Sequence, residues 1–333
     1  MNAGHRGGRS GGNAANGRRP DTEPGVCLLA FAFAAMLCSG CDAPEKAAPD
    51  SRDTGMPAAV VIAGRVADEA LTEISGLARS GHDPRRLWVH NDSGDGAVLH
   101  AIDVEGRSRG RLALDDADNV DWEDLAAFVH DGRPYLLVAD TGDNEGRREI
   151  LTLYAVAEPE LPDGATVTGT PAWRVDFRYP DGPHDAEAVA VDAPAGAIYV
   201  LTKRDVPPVL YRLPLVPPGA EPVTATRVRT LNALPRPRYT DLEVARVTNH
   251  WHWQPTAMDL APDGSFAVVL TYGSVYYFRR QPGQELGEAL SGRPLGFGLR
   301  RLRNAEALAV APDGHSLYVG VEARRAPLLR IEF

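Results

Sequence analysis

Cysteine is nearly absent from this chain of 333 residues. Its three cysteines, Cys27, Cys38 and Cys41, all lie within the first 41 residues. The rest of the chain therefore has no disulfide, no thiolate metal site and no cysteine nucleophile. An excess of positive charge is lacking as well, because the formal net charge is −10, and this argues against a nucleic-acid partner.

The chain also lacks any long stretch with the hydrophobic period of a helix. Glycine and proline are abundant instead, with 33 and 27 residues, which is normal for a turn-rich all-β protein. The hydrophobic fraction of 44% excludes a disordered chain, and the length is sufficient for a large core. We therefore expect an all-β fold.

The first 41 residues have the features of an export signal. Four arginines precede a purely apolar run from Val26 to Cys38, which is too short to span a bilayer comfortably. The Ser39-Gly40-Cys41 that follows resembles a bacterial lipoprotein box, and this resemblance implies a lipid on Cys41. An ordinary cleaved signal and an uncleaved anchor are the alternatives.

These features divide the chain into three predicted parts. Residues 1–41 form the signal segment, residues 42–58 form a disordered tether, and residues 59–333 form the folded domain. The prediction is an exported protein that the lipid anchors to the bacterial cell envelope, in the periplasm or at the cell surface. Its predicted partners are that membrane and an unknown small polar ligand or envelope protein.

From about residue 60 onward the chain repeats one pattern five times. Each repeat begins with a polar residue followed by a small residue, an apolar residue, and Ala or Asp. This pattern forms the first strand, and a turn rich in Gly, Pro and Asp follows it. Two further apolar strands come next, and in four of the repeats a fourth strand follows them. The polar residues that open the repeats are Ser75, Glu123, Glu187, Thr256 and Glu306.

Four strands per repeat of about 50 residues are typical of a β-propeller blade. We predict a single propeller of five four-stranded blades, in which an N-terminal strand at Val60–Val66 completes the last blade and removes the free sheet edges. Six blades are the alternative if residues 232–255 form a degenerate blade. That segment is short for a blade, so we interpret it as an insertion.

Several motifs give the domain a resemblance to a known group of proteins. They are Asn91-Asp92-Ser93-Gly94-Asp95, Asp121-Trp122-Glu123-Asp124, Gly142-Asp143-Asn144, Tyr179-Pro180-Asp181-Gly182 and His184-Asp185-Ala186-Glu187. With these motifs the domain resembles bacterial extracytoplasmic β-propeller proteins, and among them the phytase-like and WD-repeat-like ones. The resemblance implies an architecture but no particular activity, because propellers host many unrelated functions.

The two faces of the predicted propeller differ in chemistry. Loops before each first strand and after each second strand lie on one face, and these loops are rich in acidic and other polar residues. The turns on the opposite face have plain Asp-Gly and Pro-Gly hairpin sequences. We therefore expect the functional site on the first face.

The residues that open the five repeats should point toward the central channel as a ring. Three of them, Glu123, Glu187 and Glu306, would repel one another in a partly desolvated channel mouth unless a cation compensates their charge. Oxygen ligands without cysteine suit Ca²⁺ or Mg²⁺. The alternative is that each glutamate caps its neighbouring blade by accepting backbone N–H bonds.

Two loops on the same face carry oxygen side chains at short spacing. Asn91, Asp92 and Asp95 resemble the start of a calcium loop, and Asp143 and Asn144 form a similar group in the next blade. These five residues are the secondary metal candidates. Ordinary turn formation is the alternative for both loops.

The basic residues of this face are candidates for a catalytic role. Lys203 is one of only two lysines in the chain, against 33 arginines, and its compact ammonium could act on an anion or as an acid or base. Arg147 is the second basic candidate. Pairing of Lys203 with Asp185 or Glu187 is the alternative.

His184 and Asp185 could act as a general base with its orienting carboxylate, although adjacent residues on an extended loop point apart. A serine triad is not favoured, because neither Ser75 nor Ser93 has an assigned partner. Trp251, Trp253, Tyr272 and Arg148 are the ligand-binding candidates. The two tryptophans could instead hold the insertion onto the propeller.

Three functions are compatible with these features. The leading one is a membrane-tethered binding protein whose acidic channel face holds a divalent cation, Ca²⁺ being the first candidate, and a polar or protein ligand. The second is a metal-dependent hydrolase of phosphate esters or lactones, in which Lys203 and Arg147 stabilise negative charge. The third is a structural protein of an envelope assembly.

Overall fold

The computed structural model describes residues 57, 59–248, 251–299 and 304–333, without the side chains of 247 and 248. The predicted signal segment, Cys41 and most of the predicted tether lie outside these residues. None of the helices in the described part of the chain is long and apolar enough to cross a membrane.

The domain is a five-bladed β-propeller, as predicted. Each blade contains an antiparallel sheet of four strands, which follow chain order in the first four blades. The first blade is β2 (Ile74–Arg79), β3 (Arg86–Asn91), β4 (Val98–Asp103) and β5 (Ser108–Leu114), and the second is β6 (Trp122–His130), β7 (Arg133–Asp140), β8 (Leu151–Ala157) and β10 (Trp173–Arg178). The third is β11 (Ala186–Asp192), β12 (Ala197–Thr202), β13 (Val209–Pro214) and β15 (Thr226–Thr230), and the fourth is β16 (Pro255–Leu260), β17 (Phe266–Thr271), β18 (Ser274–Arg279) and β19 (Leu295–Gly298).

The fifth blade closes the ring as the sequence predicts. It consists of β20 (Ala305–Val310), β21 (Ser316–Val321), β22 (Pro327–Glu332) and the N-terminal strand β1 (Ala59–Arg65). Strand β1 pairs antiparallel with β22 along its whole length, from Ala59 opposite Glu332 to Arg65 opposite Pro327. The two ends of the folded domain are thus held in one sheet, which removes a free edge from the last blade.

Three features of the fold were not predicted. Strand β9 (Ala165–Gly169) leaves the second blade and pairs in parallel with β5 of the first. The short strand β14 (Val223–Thr224) pairs in parallel with β10, so two blades carry a fifth strand. The described residues of the segment interpreted as an insertion form no sixth blade and contain helix α1 (Tyr239–Thr248). A short helix α2 (Leu286–Ala289) precedes β19.

The core lies between neighbouring blades. Five apolar layers, one between each pair of adjacent blades, complete the circle. Trp88 and Trp122 are fully buried in the layer between the first two blades. Burial of apolar surface in every layer stabilises the ring as one unit.

Every innermost strand starts with a β-bulge at the same place. In the first blade Ile74 pairs with Asn91 and Gly76 with His90, so Ser75 has no partner opposite it. The same shift leaves one residue unpaired at the start of the other four innermost strands, namely Glu123, Glu187, Thr256 and Glu306. Since a bulge redirects a side chain, it accounts for the ring of polar residues that the repeats predict.

Buried ionic groups fill the centre below this ring. The Asp124 carboxylate crosses the channel and accepts backbone N–H bonds from Val189 (2.8 Å) and Met258 (3.2 Å), in two other blades. Arg79 donates to Asp259 (3.1 Å) and to the carbonyl of Ala127 (3.3 Å). These contacts tie first strands together across the axis.

Candidate functional site

Five carboxylates on the predicted functional face form one cluster. The ligand atoms of Asp92, Asp121 and Glu123 lie within 4.8 Å of one another, and so do those of Glu123, Asp185 and Glu187. Glu123 belongs to both groups. We call these five residues the acidic cluster.

The fold explains why these residues meet. Glu123 and Glu187 are the bulged residues of the neighbouring strands β6 and β11. Asp121 and Asp185 immediately precede those strands, and Asp92 follows β3. Loops that lead into first strands and loops that leave second strands therefore converge on one face, as predicted.

Crowding of negative charge perturbs the acids of this cluster. Burial, and then the charge of Asp92, raise the pKa of Glu123 well above its usual value, while Lys203 opposes this shift. Burial followed by the charges of Asp92 and Asp185 raises the pKa of Asp121 to about 6. Either a proton or a cation relieves this repulsion.

The basic residues nearby contact only part of the cluster. Lys203 forms an ion pair with Glu187, and its ammonium lies 5.4 Å from the centroid of the Tyr272 ring. Arg204 pairs with Asp185 at 2.6 Å. Lys203 is thus engaged in one of the pairs expected as the alternative to its predicted catalytic role.

The backbone at Gly142 packs directly against two acids of the cluster. A Cβ at this position would lie 2.2 Å from Oε1 of Glu123 and 2.4 Å from Oδ2 of Asp121. The amide of Gly142 donates to the backbone carbonyl of Asp121 at 3.1 Å. The close approach of these two carboxylates to the loop after β7 therefore requires glycine here.

The other members of the predicted ring have different contacts. Glu306 belongs to neither carboxylate group; burial and the charge of Glu322 raise its pKa to about 8. The hydroxyl of Ser75 donates to the backbone carbonyl of Glu123 (2.7 Å), and that of Thr256 to the carbonyl of Ala305 (2.9 Å). These two hydroxyls join neighbouring blades.

Asp124 and Asp259 in the first strands accept backbone N–H bonds from other blades, and Asp185 accepts the amide of Asp143 at 2.9 Å. Asp259 receives the amide of Val310 at 2.8 Å in addition to Arg79. In the described hydrogen bonds no backbone amide donates to Glu123, Glu187 or Glu306. The capping of neighbouring blades that was the alternative role for these glutamates is therefore performed by the aspartates. The sequence signal for Asp124 and Asp259 is a charged residue within an otherwise apolar first strand, which the predicted ring of five residues does not include.

The secondary metal candidates mostly satisfy their own loops. Asn91 accepts the amides of Thr72 (3.1 Å) and Glu73 (3.2 Å) and donates to Asp95 (2.7 Å). Asp143 accepts the amides of Arg147 and Arg148, both at 2.8 Å. Asn144 accepts a bond from Arg204. Of the secondary candidates only Asp92 belongs to the acidic cluster.

The remaining candidates are engaged in contacts of their own. His184 faces Asp205 (2.9 Å) and Asp181 (3.3 Å), so it points away from the adjacent Asp185. Arg147 pairs with the exposed Glu145 at 2.6 Å, and Arg148 with Asp140 at 2.8 Å. Trp251 and Trp253 are half-buried and pack edge to face with their centroids 5.6 Å apart.

Comparison with known proteins gives little beyond this geometry. No family model matches the chain, and no curated protein matches its sequence. Among solved structures the chain is similar to the major allergen Mala s 1 of Malassezia sympodialis, with a TM-score of 0.49 and 12% identity. The similarity covers 80% of this chain and 94% of the allergen. The chemistry of the site therefore has to be argued from its own residues.

Proposed function

We propose that this protein is a binding protein of the bacterial cell envelope, anchored through a lipid on Cys41, whose acidic cluster holds a divalent cation. The cation in turn presents a binding site for a small polar ligand or a partner protein. The predicted export signal and the resemblance of Ser39-Gly40-Cys41 to a lipoprotein box support the anchoring. The observation that carries the cation site is the convergence of buried Glu123, Asp185 and Glu187 within 4.8 Å.

This spacing suits a hard divalent cation. Calcium binds six to eight oxygens at about 2.3–2.6 Å, so two ligands on opposite sides of the ion are about 5 Å apart. Glu123 contributes to both groups, so an ion beside it can be reached by oxygens of Asp185 and Glu187 or by those of Asp92 and Asp121. Carboxylate oxygens favour Ca²⁺ or Mg²⁺ over zinc.

Unequal charge compensation also supports the proposal. Glu187 has Lys203 and Asp185 has Arg204, whereas the described contacts of the Glu123 carboxylate include one long hydrogen bond from Ser75 at 3.5 Å. A buried carboxylate without a cation is costly unless it takes up a proton. A divalent ion at Glu123 removes that cost.

Calorimetric titration of the full chain with CaCl₂ and MgCl₂ tests this function. We expect binding by the natural protein, loss of binding in Glu123→Gln, and unchanged binding in Glu149→Gln, which alters an exposed glutamate after β7. Absence of binding by the natural protein would favour the structural role in an envelope assembly.

The hydrolase alternative requires a free positive charge beside the cation. Lys203 contacts Glu187 and Arg147 contacts Glu145, so the geometry favours binding over hydrolysis. A panel of phosphate esters and lactones, measured with and without chelator, tests the alternative. Turnover that a chelator abolishes and that Glu123→Gln also lacks would replace the binding function with hydrolysis.

A further inference from the structure

A cavity of about 600 Å³ opens on the face opposite the acidic cluster. We call this the turn face, because it carries the hairpin turns between the first and second strands of the blades. The cavity is lined by turns of four blades, including Gly81, Pro134, Ala195 and Pro262. Its volume lies within the range of small-molecule sites, about 300–1,000 Å³.

Two buried ion pairs lie at this cavity. Arg280, at the end of β18, pairs with Asp192 at 2.6 Å, and their side chains are 13% and 3% exposed. Arg79 pairs with Asp259 at 3.1 Å. Because both guanidinium groups already have a carboxylate partner, an anionic ligand would have to disrupt a buried ion pair.

The remaining charges of the lining also select against ions. Asp263 and Glu285 line the cavity as well, so its acids outnumber its two arginines. This balance disfavours an anion, while the guanidinium groups of Arg79 and Arg280 disfavour a cation. A neutral polar ligand is therefore the best match.

The polar groups offer donors and acceptors side by side. Arg280 donates through Nε to the carbonyl of Gln284 (2.7 Å) and through Nη2 to Asp192. Nη1 of Arg280 lies close to Gly264, because a Cβ added to Gly264 would be 3.5 Å from this nitrogen. A guanidinium next to a carboxylate presents a planar donor beside a planar acceptor, an arrangement that neighbouring hydroxyl groups of one ligand can bridge.

One wall of the cavity is aromatic. Phe128 and Tyr135 stack with centroids 5.4 Å apart and an interplanar angle of 20°, and Trp173 packs against Tyr135 at 4.9 Å. Tyr135 is half-buried and lines the cavity. An aromatic face held rigidly in this way suits the apolar C–H face of a sugar ring.

We propose that this turn-face cavity binds a neutral carbohydrate of one or two sugar units. The paired Arg280–Asp192 groups would bind neighbouring hydroxyls, and the Phe128–Tyr135 wall would contact the apolar face of a ring. The site lies on the face opposite the acidic cluster, so it is independent of the proposed cation site.

The test is calorimetric titration of the full chain, kept in a detergent without a sugar headgroup. Cellobiose, maltose, trehalose and chitobiose are the neutral probes, and glucose 6-phosphate and citrate are the anionic ones. We expect at least one neutral disaccharide to bind, and Ala195→Trp, which fills the cavity from an exposed lining position, to weaken binding at least about tenfold. Ala220→Trp adds the same ring at an exposed position outside the lining and should leave affinity unchanged.

A second variant guards against misfolding. Tyr135→Ala removes the aromatic wall without filling the cavity and should also weaken binding, while the melting temperature reports whether each variant is folded. The proposal is overturned if none of the four disaccharides binds at concentrations up to about 10 mM, a free energy weaker than about −3 kcal/mol. It is equally overturned if sugar binding survives Ala195→Trp, or if only the anionic probes bind.

Discussion

The raised pKa of Asp121 predicts how the free energy of unfolding changes with pH when no cation is bound. Asp121 precedes β6 within the acidic cluster, and burial with the nearby charges of Asp92 and Asp185 raises its pKa from 3.8 to about 6. Replacing it with Asn keeps the size of the side chain and removes the ionisation. We expect Asp121→Asn to be more stable than the natural protein at neutral pH when divalent cations are removed.

The sign and size of the effect follow from proton linkage. A carboxyl group whose pKa is raised on folding contributes stability that is present below its unfolded pKa and is lost as the pH rises through its folded pKa. One pKa unit is worth 1.36 kcal/mol, so a change from 3.8 to about 6 corresponds to about 3 kcal/mol. The variant and the natural protein should therefore be equally stable near pH 3.5 and differ by about 1–3 kcal/mol above pH 7, because solvent screens part of the charge of this half-buried carboxyl group.

Urea unfolding followed by circular dichroism, with a chelator present, measures this difference at a series of pH values. Asp118→Asn, an exposed aspartate of the same segment, is the matched control and should parallel the natural protein. With Ca²⁺ at about 1,000 times its dissociation constant the order should reverse, because binding adds about 4.1 kcal/mol to the natural protein. An Asp121→Asn curve parallel to that of the natural protein at every pH would refute the proposed charge repulsion.

Three further predictions concern the surroundings of the site and the closure of the ring. Gly142→Ala would displace the carboxylates of Glu123 and Asp121 and should weaken cation binding about 10–100-fold in calorimetry. The control Gly96→Ala, whose Cβ would meet only Val98 at 3.7 Å, should leave cation binding unchanged. Equal affinities of the two variants would contradict the close packing at Gly142. Arg79→Ala leaves the buried carboxylate of Asp259 without its cation and should lower the free energy of unfolding by about 3–5 kcal/mol in urea titration; a loss below 1 kcal/mol would show that the pair does not hold the centre together. Deletion of residues 59–65 removes the strand that pairs with β22 and should lower the melting temperature and cause aggregation; an unchanged melting temperature would show that this closure is dispensable.

The sequence predicted the fold well because the repeat is local. Each blade carries its own turn residues and apolar strands, and the unpaired last blade predicts closure by the N-terminal strand. Strands β9 and β14 escaped prediction because each pairs in parallel with the fourth strand of the preceding blade, far away in the chain. No local pattern encodes such a pairing.

The site was predicted in part. Glu123 and Glu187 meet as expected from blade symmetry, but Glu306 interacts with Glu322 instead, because the acidic loops concentrate around the second and third blades. Asp121 belongs to a motif that the sequence singles out before β6, but it was not predicted as a ligand. Its carboxylate lies beside that of Glu123 at the bulge that begins β6. Identical positions in a repeat therefore predict a common direction of side chains, but not common partners.

A crystal structure of the protein grown with MnCl₂ tests the central proposal most directly, because manganese takes the same oxygen ligands as Mg²⁺ and Ca²⁺ and scatters anomalously. The proposal predicts an anomalous peak about 2.0–2.6 Å from carboxylate oxygens of Glu123 and Asp185. Crystals that show no peak in the acidic cluster at saturating manganese, with Glu123 bonded instead to a neighbouring carboxylate through a proton, would contradict it.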